Sequence, residues 1–379
     1  MALSADERDE LRSTARALLQ RESSAAQVRA VVGADPGFDR GLWDQMVELG
    51  WTSIHVPERF GGAGCGYGDL AVVLHELGRA ITPSPFLASA VLASSALAFA
   101  ANEALALELL TPIVNGEVVG SVALANTDGS CDRSRATTAW STKAGRVRLD
   151  GASGFVLDAD VAGTLVVVAR GADGATALVA VDPSTPGVRL DRTSLVDETR
   201  RAFTVSFDGV EVGDDRLLCD PGQAGDDLFD RLLAVGAIAV GCDAAGAAER
   251  TLDQATAYAK DRQQFGKPIG SFQAVKHLCA NMAVAVESSR VATVAAAEAL
   301  DADADGWSRA ASVTASFVGP ACAEACAIGL RVHGGIGFTW EHDSHLYLKR
   351  VKLDEVLFGT PSWHRRRLAE TVFPTLIAS

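Results

Sequence analysis

Apolar residues recur at helical spacing through roughly the first hundred positions, lose that rhythm between about 119 and 220, and regain it afterwards. Ser4 is placed to cap a helix that opens Ala5-Asp6-Glu7-Arg8, with acidic side chains in its first turn. The stretch Leu42–Leu49 continues the pattern until Gly50-Trp51 and the turn Pro57–Gly62 break it. A further helix is predicted from about Asp69 to Arg79; Pro83 and Pro85 interrupt, and helix resumes to about Leu110. The runs Ser121–Ala125, Val147–Leu149, Leu165–Ala169, Ala177–Val181 and Ala202–Phe207 are short, apolar or alternating, and Gly, Asp, Pro and Ser clusters separate them, which predicts strands. From Asp226 to Lys260, and again over about 275–300 and 307–332, the helical period returns.

These elements predict an α+β multidomain protein: a helical domain over 1–118, a small antiparallel β domain over 119–220, and a helical bundle over 221–379. Helices and strands that segregate in this way argue against a doubly wound nucleotide fold, in which they alternate. Gly61, Gly62, Gly64 and Gly66 do not lie between a strand and a helix, so they are no dinucleotide fingerprint, and neither a Walker loop nor an internal repeat is present.

Composition narrows the function. A net charge of −14 argues against a nucleic-acid partner. It leaves room for a local basic pocket, and Lys349, Arg350, Lys352 and Arg365–Arg367 cluster late in the chain, read equally as a solvated helix face or a ligand contact. The odd set of cysteines, 65, 131, 219, 242, 279, 322 and 326, contains no CxxC and reads as buried thiols in a reducing cytosol. The acidic N-terminus is unlike a signal peptide. The uncharged run Ala80–Asn102 is broken by prolines and falls short of the ~20 residues of a membrane span, so a cytoplasmic protein without membrane contact is expected.

Three segments carry chemistry. In the first, Tyr258 to Gln273, the spacing of Tyr258, Arg262 and Phe265 allows one helix face, with Gly266 and Pro268 as its stop and Phe272-Gln273 as the next start. An Arg beside an aromatic at a helix end suits a phosphate and a flat base, although a surface salt bridge accounts for the Arg more simply when the segment is read alone. In the second, His333-Gly334-Gly335-Ile336-Gly337-Phe338-Thr339-Trp340-Glu341-His342-Asp343, the glycines allow close backbone approach or a tight turn. His342, Asp343 and His345 do not have convincing metal-ligand spacing. The third is the turn Pro57-Glu58-Arg59-Phe60-Gly61-Gly62.

Together these segments, in their helix–strand–helix order, resemble the acyl-CoA dehydrogenases, most of all the actinobacterial members that degrade acyl-CoA thioesters including steroid side chains. The resemblance covers essentially the whole chain. It implies a C-terminal four-helix bundle, FAD bound across a subunit interface, an acyl-CoA substrate, electron-transfer flavoprotein as acceptor, and assembly with itself or a related chain. It places Arg262, Phe265, Gln273, Gly334 and Gly335 on the adenosine side of a neighbour's FAD, with Arg331 where the family commonly has Gln. On the flavin side, Phe155 can pack on a ring, but Ala125 and Leu157 replace threonines that supply hydroxyls.

The family's catalytic base is also missing. Phe358 stands where many members carry Glu, and Gly236 where another group does. Asp243, two turns beyond Gly236 in an apolar stretch, is the candidate base, because burial of a lone carboxylate raises its proton affinity; pairing with an Arg from a packed helix is the alternative. Two functions follow from the resemblance: a dehydrogenase active in its own right, or a non-catalytic subunit that completes the FAD site of another chain.

Overall fold

A computed structural model describes residues 2–303 and 306–372; the end of the expected third domain, 373–379, lies outside them. The first helices are α1 (Ala5–Glu22), α2 (Ala25–Val31), α3 (Arg40–Glu48) and α4 (Tyr67–Ala80). Ser4 does cap α1: its hydroxyl accepts from the Glu7 amide while the Glu7 side chain accepts from the Ser4 amide. A π-helical turn, Phe86–Ala93, leads into α5 (Ser94–Ala98), and α6 (Glu103–Val114) follows. In that turn the Ser94 hydroxyl donates to the Ser89 carbonyl, and the Ser89 hydroxyl in turn accepts from the Gly120 amide, so the irregular backbone is satisfied by side chains.

The strands are β1 (Val119–Ala123), β2 (Thr138–Lys143), β3 (Arg146–Leu157), β4 (Ala162–Arg170), β5 (Thr176–Val181), β6 (Val188–Thr193) and β7 (Ala202–Gly213). They form one sheet in the order β1-β4-β2-β3-β7-β6, with β5 on β4. The expected antiparallel pattern is corrected in two places: β1 pairs with β4 in parallel, and β2 meets β4 in parallel at Ala139 and Arg170. The long excursion through β2 and β3 supplies the crossover that a parallel pair needs. Val147, Leu149, Val167, Val179, Val205 and Phe207 fill the core under the sheet.

The later helices are α7 (Gln223–Asp261), α8 (Gln273–Asp301), α9 (Trp307–His333), α10 (Ser344–Asp354) and α11 (Pro361–Val372). Between α7 and α8 stands a small hairpin of β8 (Gln263–Gln264) and β9 (Lys267–Pro268). The apolar stretch of α7 is long enough to cross a membrane, but it is 94% buried within the protein, which accounts for its composition.

Contacts gather the chain into two units that do not follow the three expected segments. One takes Gly33–Gly66 and Pro83–Gly236 and holds the sheet; the other takes Leu3–Val32, Tyr67–Thr82 and the chain from Ala237 onward. In the second unit α9 packs on α8, α10 and α11, and α4 packs on α1 and α8. Small residues let α4 and α7 touch by their backbones. A methyl group at Gly78 would meet the Asp243 carbonyl at 2.0 Å, and one at Gly246 would meet the His75 carbonyl at 1.9 Å.

Candidate functional site

The helical second unit holds the residues that the resemblance assigns to the adenosine side. Helix α7 ends at Asp261, so Phe265 is not on the same helix face as Tyr258 and Arg262, as its spacing allowed. It stands at the tip of the β8–β9 hairpin instead. Phe265 and Gly266 both take positive φ, 53° and 77°, the backbone of a tight two-residue hairpin turn. That conformation is costly for an aromatic residue, and its ring is 91% exposed. The ring meets Phe272 edge-on at 6.0 Å, and the Lys267 ammonium lies 4.5 Å from the Phe272 centroid. A strained, exposed aromatic on a braced hairpin has the form of a contact offered to something outside the chain.

Arg262 is exposed, and its guanidinium makes no ion pair among the described residues. Its backbone is fixed at both ends: the amide donates to the Tyr258 carbonyl and the carbonyl accepts from the Ile269 amide, each at 2.8 Å. Gln273, likewise exposed, opens α8 behind the Phe272 cap. The glycine turn is tied to this region through Tyr258, whose ring lies 4.8 Å from that of His333 at the end of α9. Gly334 takes φ 67° as the cap of α9, and a methyl group on Gly334 or Gly335 would meet open space. Arg331 is exposed and bound to Glu324 at 2.7 Å, so any anion would compete with that carboxylate. The imidazoles of His333 and His342 lie 4.4 Å apart, tilted by 54°; Asp343 binds Arg29, and His345 meets Trp340 edge-on.

The base candidate fares differently. Asp243 is buried, and both its oxygens are taken by Arg350 of α10: Nε donates to Oδ2 at 2.8 Å and Nη2 to Oδ1 at 3.0 Å. The carboxylate is therefore paired with an Arg from a packed helix, the alternative to a lone base that the sequence also allowed. Arg350 is accordingly no solvated cation. It falls in phase with Leu346, Tyr347, Val351 and Asp354, the buried face of α10, and that helical phase was the signal available in the sequence.

Phe358 takes φ 59° and Gly359 φ 110°, a sharp turn between α10 and α11. His364, a residue the sequence did not single out, holds this turn from inside: Nε2 donates to the Phe358 carbonyl at 3.0 Å, and Nδ1 lies 3.2 Å from the Ser312 hydroxyl. Burial pushes His364 down to about 4, so the ring is neutral at pH 7. The turn is well built, and it presents a phenyl ring.

In the first unit, the segment that the resemblance assigns to the flavin side is closed on itself. Asn126 donates to the Ser130 hydroxyl and the Asp132 carbonyl, and its side-chain oxygen accepts from the Thr137 amide. Ala125 bridges to Gly154. Phe155 stands at a bulge in β3 with φ 52°, against Gly129, where an added methyl group would come within 3.0 Å of the ring. Val156 and Leu157 are buried in the sheet. Ala125 and Leu157 thus offer only backbone polar groups here.

Sequence comparison supplies the family. The model for "Acyl-CoA dehydrogenase, N-terminal domain" matches residues 5–117, and that for "Acyl-CoA dehydrogenase, C-terminal domain" matches residues 224–373. Acyl-CoA dehydrogenase IpdE2 of Mycolicibacterium smegmatis is 33% identical over 97% of this chain and 99% of its own length. Acyl-CoA dehydrogenase FadE34 of Mycobacterium tuberculosis is 38% identical over 92% of this chain, which spans 45% of that longer protein. Among solved structures, a variant of the Tcur3481-Tcur3483 steroid ACAD superimposes with a TM-score of 0.88 at 28% identity, covering 99% of both chains. The ChsE4-ChsE5 complex from Mycobacterium tuberculosis gives 0.89 at 25% identity over 98% of both.

Proposed function

Because the chain belongs to the acyl-CoA dehydrogenase family, we propose that it is the non-catalytic partner in a mixed assembly and completes the FAD site of an unlike chain. FAD is the family's cofactor, and when bound it takes the hydride from the acyl β-carbon. A carboxylate beside the α-carbon must take the accompanying proton. None of the three candidate positions offers that group: Phe358 and Gly236 carry no carboxylate, and Asp243 is held by Arg350.

The observation that carries this reading is the asymmetry between the two halves of the FAD site. Arg262 and Phe265 are intact, exposed and braced, which suits a pyrophosphate and an adenine presented by another subunit. Ala125 and Leu157 withhold the hydroxyls that a flavin ring would need in this chain's own sheet. A chain that can give but not receive requires a partner of different sequence.

Two relatives fit. The Tcur3481-Tcur3483 and ChsE4-ChsE5 structures each pair two differently named chains. FadE34 leaves more than half of its length outside the match, room for a second module of this size. The assembly's substrate is then an acyl-CoA thioester, with a steroid-type acyl group suggested by the first of those structures, and the family resemblance implies electron-transfer flavoprotein as its acceptor.

The test is a visible spectrum. Purified alone, the chain is expected to be colourless; co-expressed with an unlike dehydrogenase chain, it should co-purify in a yellow complex bleached by acyl-CoA. One flavin per chain in the isolated protein, bleached by acyl-CoA, would instead establish a dehydrogenase active by itself.

A further inference from the structure

A second polar recess lies in the helical unit, and the flavin reading makes no use of it. A cavity of about 390 Å³ opens among α1, α2, α4, α7 and α10. Leu19, Ala26 and Ala80 give it apolar walls, and Arg79, Arg250, Gln254 and Tyr347 converge on it with polar groups. Arg16, Glu76 and Asp343 line it as well, so the recess is mostly polar, and its volume is within the range of about 300–1,000 Å³ for small-molecule sites.

The charges around it are matched, with one exception. Glu76 accepts from Arg16 through both oxygens, at 2.9 and 2.7 Å. Arg79 binds Glu249 at 2.8 Å and Asp253 at 2.9 Å, and His75 lies 3.0 Å from Glu249. Asp343 binds Arg29 at 2.9 Å. Arg250 makes no ion pair among the described residues; its guanidinium acts on the buried Tyr347 hydroxyl, favouring that group's ionised form. A half-buried guanidinium without a carboxylate is unusual in a chain of net charge −14, where acids outnumber bases. One helical turn away on α7, the side-chain oxygen of Gln254 is buried and accepts no hydrogen bond. The recess therefore presents an unmatched cation beside an unmatched acceptor.

We propose that this recess binds a small molecule bearing an oxyanion, a carboxylate or a phosphate, together with a hydrogen-bond donor. Arg250 takes the oxyanion, assisted by Tyr347, and the Gln254 oxygen accepts from the donor. The site stands apart from Arg262 and the glycine turn in its residues, so it does not depend on how FAD is shared.

Calorimetric titration of the full chain in its assembly tests this, with inorganic phosphate and with lactate as probes and sodium chloride holding ionic strength constant. At least one probe is expected to give a saturable one-to-one isotherm, and the probe that does so identifies the anion. Arg250→Gln should weaken binding about tenfold or more, as loss of a charge-assisted hydrogen bond implies. Should that variant fail to fold, Tyr347→Phe, which deletes one hydroxyl, must still weaken it. No saturable heat from either probe, or unchanged affinity in the folded variants, would overturn the proposal.

Discussion

At the scale of single residues, environment decides role more than residue type does. Asp243 and Arg350 each look like candidate chemistry in the sequence; paired at 2.8 and 3.0 Å inside the helical unit they cancel one another. Asp243→Asn removes one charge of this buried pair and is expected to lower stability by about 3–5 kcal/mol in chemical denaturation. On the proposed reading of this chain as the non-catalytic partner, flavin reduction in the folded assembly should be unchanged. The buried histidines give a second expectation. His55 and His364 are both pushed down by burial from 6.5 to about 4. The unfolded chain therefore binds protons near pH 6.5 that the folded chain refuses until about pH 4, and stability falls as pH drops through that window. Denaturation midpoints at pH 7 and pH 5 should show the loss, and His364→Gln should make it smaller. Arg262 and Phe265 were legible as a motif, but the hairpin that lifts Phe265 off the helix was not, because a tight turn with an aromatic at positive φ runs against local preference.

At the scale of elements, most of the chain was readable from periodicity. The long apolar rhythm of 226–260 became α7, and the strand runs near 121, 147, 165, 177 and 202 became β1, β3, β4, β5 and β7. Strands β2 and β6 escaped notice because Thr138–Lys143 and Val188–Thr193 are mostly exposed polar residues that belong to the sheet by pairing, not by burial. The parallel pairing of β1 with β4 is equally invisible locally, since register between distant strands is a property of the folded sheet. The α4–α7 contact was hidden for a related reason: glycines at 78 and 246 look like helix weaknesses until the neighbouring backbone is seen 2 Å from where a methyl group would stand. Gly246→Ala raises helix propensity, yet it is expected to destabilise the protein by about 1–3 kcal/mol through overpacking. A rise in melting temperature in that variant would show that the contact relaxes.

At the scale of the whole molecule, the chain resembles its family in fold while departing from it in two clusters of side chains. The resemblance assigns both clusters to the reaction centre: the flavin hydroxyls and the base. The parts kept, Arg262, the Phe265 tip and the glycine turn, face outward. This division is what the proposed role in a partner's site requires. The most direct measurement is the flavin content of the mixed assembly when only this chain carries Arg262→Ala. The expected result is an intact complex of the two chains that has lost most of its yellow absorbance on gel filtration. Full retention of flavin by that complex would contradict the assignment of this guanidinium to the partner's cofactor.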